Sequence, residues 1–193
     1  MGTRSLTCVV LDGKFKIAQY GQFDGYPEGQ GTIVIDTMRK IIASNNLDRF
    51  KKKVGALKEI TNDEYKQLWI DAGADPANDY VSMEVGNEFD RKNPQLDRRL
   101  AAGILGHVMY NDVPGVRLSI EFANDSLFCE YAYVVDLDLG VFEVYKGFQK
   151  QNHSSGRFSD KKCETSGYFP VRLTKSYRLD SLPSTDEFVK DNN

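Results

Sequence analysis

The sequence lacks a long apolar run, cysteine pairs at ligand spacing and any surplus of positive charge. Cys8, Cys129 and Cys163 form an odd set without a CxxC. They indicate neither a disulfide framework nor a zinc site. Cys8 and Cys129 fall within apolar stretches, where a reduced thiol behaves as a small core hydrophobe. His107 and His153 are the only two histidines; without companion ligands they imply no metal, and no other cofactor is implied. His107 borders a helical apolar stripe and reads as a hydrogen-bonded spacer, while His153 sits in a basic polar stretch and is expected to be exposed. The first apolar-leaning run stops at Asp12-Gly13, too short for a signal-peptide core or a membrane span. The expectation is a cytoplasmic protein with no membrane partner. Lys and Arg number 25 against 28 Asp and Glu, a formal charge of −3, which argues against a nucleic-acid partner. Lys51, Lys52 and Lys53 then read as a solvated helix face.

What is present suits one ordinary domain. The 193 residues are 40 % hydrophobic, enough to bury a core without staples, and no repeat or linker divides them. Residues 5–11 and 14–23 flank Asp12-Gly13, a strong hairpin signal. Alternation along the second strand puts Phe15, Ile17, Gln19 and Phe23 on one face, so Gln19 interrupts an apolar row. Residues 25–31 read as a loop. Thr32 is placed to N-cap a helix over 32–44, with Val34, Met38, Ile41 and Ile42 buried.

A second helix follows from Asn46, with Leu47, Phe50, Val54 and Leu57 at helical spacing. A third starts at the capping box Thr61–Glu64 and carries Tyr65, Leu68 and Trp69. Residues 71–90, with six acids including Asp79 and no base, read as a surface connection. Pro94 suits the start of a helix to Tyr110 with the stripe Leu96, Leu100, Ile104, Leu105 and Val108. After Pro114 the period turns alternating, and 116–122, 126–137, 141–147 and 168–179 read as strands. Residues 127–137, apolar on both faces, suit a central strand. The stretch 149–167 reads as a mobile polar loop, and 184–193 as a flexible tail with no core pattern beyond Phe188-Val189.

Strands, helices, then strands is an α+β order over residues 1–193. The expectation is a single, mostly antiparallel sheet of about six strands, the N-terminal hairpin beside the C-terminal strands, covered by helices of the middle third.

The densest unusual segment runs from Gln19 to Gly31. Glycines allow close backbone approach, a helix N-terminus offers free N–H groups, and carboxamides and phenols supply oriented donors and acceptors. Gln19, Tyr20, Gln22, Asp24, Tyr26 and Gln30 are therefore candidate ligand-binding residues for a small polar or anionic, nucleotide-like molecule. The spacing fits neither the P-loop nor the dinucleotide fingerprint. The same residues also suit a tight turn that satisfies its own backbone. Glu130, a candidate between Phe128 and Ala132 on an apolar strand, reads either as a buried carboxylate needing a partner, with Arg4, Gln19 and Arg172 as options, or as a Glu at a solvated sheet edge. Arg4 joins the candidate set.

Gly2-Thr3-Arg4, Gln19 to Gln22, Phe23, Asp24 to Pro27 and Gly29 to Gly31 resemble the opening of an uncharacterised family of short bacterial, phage and fungal proteins. Residues 125–138 and 142–145 extend that resemblance over about half the chain. For a phage protein it implies a counter-defence role, sequestering a host signalling nucleotide or blocking a host protein. The element order is also similar, at the level of fold, to N-terminal-nucleophile hydrolases, including glutamine amidotransferase domains. That similarity implies an amidohydrolase or amidotransferase-type enzyme, with Thr3 or Cys8 as the nucleophile to consider, although Gly2 in place of a leading Cys, Ser or Thr departs from the pattern. Two readings follow: a binding protein using the 19–31 loop on a small ligand or a partner protein, and an enzyme of the N-terminal-nucleophile type.

Overall fold

The computed structural model describes residues 2–78 and 80–192. The main sheet is built from β1 (Ser5–Leu11), β2 (Lys14–Gly21), β5 (Tyr131–Asp136), β6 (Val141–Lys146) and β7 (Arg172–Arg178), in the order β2-β1-β5-β6-β7. It is an α+β fold with one main, mostly antiparallel sheet; β1 and β5 form its parallel pair. The N-terminal hairpin lies beside the C-terminal strands as expected. Its turn puts Asp12 at φ 55° and Gly13 at φ 67°, the paired positive values of a tight hairpin turn. Asp138 clamps that turn by accepting from the N–H groups of Asp12 and Gly13 at 3.0 and 2.9 Å. With β1 on one side and β6 on the other, β5 holds the central place its apolar faces called for.

Both faces of the sheet are covered. On one, Val9, Ile17, Tyr133, Val135 and Phe142 pack under helices. These are α1 (Thr32–Ala43), α2 (Leu47–Ala56), α5 (Ile104–Tyr110) and α6 (Thr185–Asn192). On the other, Leu6, Cys8, Val134 and Tyr145 pack under Ala123, Phe158 and Val171. The basic stretch 149–167 supplies this second cover. Phe158 inserts between Phe15 and Tyr145. Arg157 donates to Glu143 at 2.7 Å and to Asp136 at 2.9 Å. His153 is half-buried rather than exposed, its ring bonded to Pro170 O and the Ser155 N–H.

Several expectations need correction. The main sheet has five strands, because residues 116–122 stay extended only at β4 (Gly115–Val116) and then turn as a 3-10 helix, Ile120–Asn124. β4 pairs with β3 (Lys58–Glu59) in a separate ribbon. A register shift between Val9 and Val10 leaves Lys16 unpaired, so Phe15 swings to the Phe158 side while Ile17 keeps the helical face. Such a bulge breaks strict alternation. Residues 71–90 are not one connection. After α3 (Asn62–Asp71), helix α4 (Met83–Lys92) starts where Ser82 accepts from the Val85 N–H, and it buries Phe89. Asp79, counted among the acids of this stretch, lies outside the described residues. The helix expected over 94–110 is divided: Pro94–Leu96 makes a 3-10 turn, Ala101 adopts φ 43°, and regular helix begins at Ile104. At the C-terminal end, α6 places Phe188 in the core with no exposed surface.

Candidate functional site

The chain from Gln19 to Gly31 winds inward instead of forming an open loop. β2 ends at Gly21, Asp24 takes φ 55°, and Pro27–Gly31 forms a π-helical turn that runs straight into α1. Thr32 is therefore not the N-cap; its hydroxyl donates back to Glu28 O at 2.9 Å. The N–H groups of Gly25, Gly29 and Gln30 go to Thr3 O, Tyr26 O and Asp24 O at 2.8, 3.0 and 2.8 Å. Donors that an anion at the helix mouth needs are already engaged by carbonyls. At Gly31 the missing side chain matters for packing, since a Cβ there would lie 2.9 Å from the Phe188 ring.

The polar side chains of the segment separate. Tyr26 donates to Asp24 Oδ1 at 3.2 Å on the outside, and the Asp24 charge and that bond push the Tyr26 phenol up. Gln30 points inward, with Nε2 donating to Phe23 O at 3.2 Å and Oε1 accepting from the Ala102 N–H at 3.0 Å. Tyr20 donates to Gln22 Oε1 at 2.5 Å. Arg4 and Glu130 find each other, the Arg4 N–H donating to Glu130 Oε1 at 3.1 Å, while the Arg4 guanidinium lies over Phe128. Of the two readings of Glu130 the solvated one fits, for 41 % of its side chain is exposed. Of the three partners considered, Arg4 is the one it meets.

Gln19 and Tyr20 reach a cleft at the open edge of β2. The cavity measures about 240 Å³ and is shared with Tyr65, Leu96, Arg98 and Arg117. The far wall runs alongside β2 because the Ser119 N–H donates to Ala18 O at 2.9 Å. Gln19 is only 7 % exposed. Its Nε2 donates to Asp97 O at 3.2 Å, and its Oε1 receives no hydrogen bond among the described residues. Thr7, opposite Gln19 in the β1–β2 register, and Ser5 carry buried hydroxyls without partners among the described residues.

Two guanidinium groups line this cleft. Arg117 lies 4.2 Å from the Tyr65 ring centroid and donates to Asn62 Oδ1 at 2.9 Å. Arg98 is exposed and donates no hydrogen bond among the described residues, although its charge acts on Asp97. Burial raises the Asp97 carboxyl, but hydrogen bonds from Arg99 and the charges of Arg99 and Arg98 outweigh that and hold it below the usual range.

A larger cavity of about 450 Å³ adjoins, sharing Tyr65, Leu96 and Arg98 and adding Phe23, Trp69 and Phe89. Trp69 and Phe89 stack at 3.8 Å and 7°, with Tyr65 edge-on to both. Arg99 is tied to Asp90 and Asp97 at 2.6 and 2.9 Å.

From the sequence, Gln19 and Tyr20 were candidates, whereas Tyr65, Trp69, Arg98 and Arg117 were not. The signal was faint. Helix α3 carries two large aromatics yet fully buries none of its residues, the mark of an aromatic face meeting something other than core. Cys8 and Cys129 are fully buried, and burial pushes both thiols up, which suppresses the thiolate a nucleophile needs.

Among the described residues no group of three or more His, Cys, Asp or Glu is placed to hold a metal ion, and no helix is long and apolar enough to cross a membrane. Compared with family models, curated proteins and solved structures, the chain matches none.

Proposed function

We propose that the protein binds a small polar, anionic ligand in the cleft at the edge of β2, with Gln19 as its floor and Arg98 and Arg117 as its charged wall. One observation carries this reading: Gln19 is nine-tenths buried at the wall of a cavity, its amide nitrogen is committed to Asp97 O, and its oxygen accepts from none of the described residues. Gln19 Oε1 can therefore accept an N–H or O–H from a ligand in the cavity, a net hydrogen bond of about 0.5–1.5 kcal/mol. The lining holds two arginines and no acid, and guanidinium groups favour carboxylate or phosphate oxygens through charge-assisted hydrogen bonds. Of the Gln19–Gly31 segment, this reading uses the strand end; the Gly-rich turn is occupied with its own backbone.

Native mass spectrometry on gently purified protein, followed by denaturation and analysis of the released fraction, tests the proposal. The expected result is a small anion that co-purifies with the wild type and is lost from Gln19→Leu and Arg117→Ala. A small anion retained equally by both variants overturns this placement.

A further inference from the structure

The cleft and the larger cavity beside it have complementary chemistry. The smaller has Arg98, Arg117 and the Gln19 amide with no acid; the larger has aromatic rings, Arg98, and the carboxylates Asp90 and Asp97, both held by Arg99. Tyr65, Leu96 and Arg98 line both, so the two adjoin along these residues. We infer that the occupant is a nucleoside phosphate whose base bears an amino group, an inference that rests on the ligand reading above.

Each half fits one part of such a molecule. Phe89 backs one face of the Trp69 indole, so the indole meets the larger cavity with surface that Phe89 does not cover. Phe23, 49 % exposed, lines the same cavity from the end of the β2 segment. Stacking on aromatic side chains suits any heteroaromatic base and contributes about 1–3 kcal/mol per base. Arg99 already donates to both Asp97 oxygens and to Asp90 Oδ2, which leaves Asp90 Oδ1, unengaged among the described residues, to accept from a base with N–H groups to give. Arg98 and Arg117 then meet the phosphate in the half that has no acid. Between base and phosphate a nucleotide carries sugar hydroxyls, donors for Gln19 Oε1, which accepts from none of the described residues. A free sugar phosphate leaves the aromatic half unused, and a free nucleoside leaves the acid-free half unused.

The chain contains one tryptophan, Trp69, so its fluorescence reports the larger half directly. Titration with GMP is expected to quench it saturably. Guanosine, UMP (which lacks the amino group) and, by calorimetry, ribose 5-phosphate are each expected to bind about 10-fold or more weaker, the equivalent of one lost hydrogen-bonded or stacking contact. Arg98→Ala, an exposed position that does not endanger folding, is expected to weaken GMP about 10-fold and guanosine by clearly less. Ribose 5-phosphate binding as tightly as GMP overturns the nucleotide inference while leaving the anion reading of the Gln19 cleft in place. Guanosine matching GMP, with no effect of Arg98→Ala, overturns it from the other side. Absence of binding by GMP, ribose 5-phosphate and inorganic phosphate overturns both.

Discussion

Gln30 Oε1 accepts the Ala102 N–H at 3.0 Å across 72 residues of sequence. Gln19, eleven positions earlier in the same segment, donates from Nε2 to Asp97 O. The two glutamines thus hold the 97–102 turn at both ends, and that turn presents Arg98 to the groove. Ala102 gives its amide to a side chain, and Ala101 beside it sits at φ 43°. That accounts for the interruption of the helix expected from Pro94 onward.

Gln30→Leu leaves the Ala102 N–H buried and unpaired, which costs about 1–3 kcal/mol. The measurable outcome is a lower urea midpoint with an unchanged slope, together with faster hydrogen exchange at Ala102. Exchange at Ala102 as slow as in the wild type would show that Gln30 does not hold the turn.

Gly31→Ala tests packing at the other end of the segment. The added methyl would sit 2.9 Å from the Phe188 ring and 3.1 Å from Tyr133, and overpacking a filled core costs about 1–3 kcal/mol. Thermal unfolding should show the loss, and a second change, Phe188→Leu, should give part of it back by making room. A Gly31→Ala protein as stable as the wild type, with no rescue, contradicts this account of the glycine.

Legibility followed whether a signal was local. Asp12-Gly13 and the Thr61–Glu64 capping box act within four residues, and both stand as read. The hydrophobic spacing of α1 and α2 likewise specified their buried faces, with Ile35 taking the place expected for Ile42. What was hidden depends on distant partners. Residues 149–167 are polar and carry little apolar pattern, yet Arg157 finds carboxylates on β5 and β6 and Phe158 finds Tyr145. The groove shows the same limit, because α3, the 94–99 turn and the edge of β2 converge only in three dimensions. Gln19 was the legible part: a carboxamide in an apolar row has to be used by something.

Arg157→Met removes the cation that bridges Asp136 and Glu143. Those carboxylate side chains are 4 % and 12 % exposed, and stranding buried charge costs about 3–5 kcal/mol. Because the Arg157 side chain keeps 22 % exposure, the loss should fall at about 3 kcal/mol, the low end. Hydrogen exchange is expected to rise first across residues 149–167, since the cover of the second sheet face loses its anchor. Uniform loss over the whole chain would show instead that this cover and the rest of the domain open together.

Acid should weaken the fold through carboxylates that hold turns and helix ends. Asp138 is the clearest, held below its ordinary value of 3.8 by the N–H bonds of Gly13 and then Asp12. Glu88 is pushed down to about 2 by its hydrogen bonds to Arg91 and Lys92. A carboxyl lowered on folding binds fewer protons in the native state, so its contribution is fully present above the unfolded value and is lost as pH falls through the folded one. The urea midpoint is therefore expected to stay level as far as these groups govern it from pH 7 to about 5, then fall steadily toward pH 2. In Asp138→Asn the amide oxygen still accepts from the hairpin turn but no longer titrates. Its curve should lie below the wild type near neutrality and converge with it as the pH drops below about 4. Parallel curves down to pH 2 would mean that the charge of Asp138 does nothing for the hairpin and that the acid slope arises elsewhere.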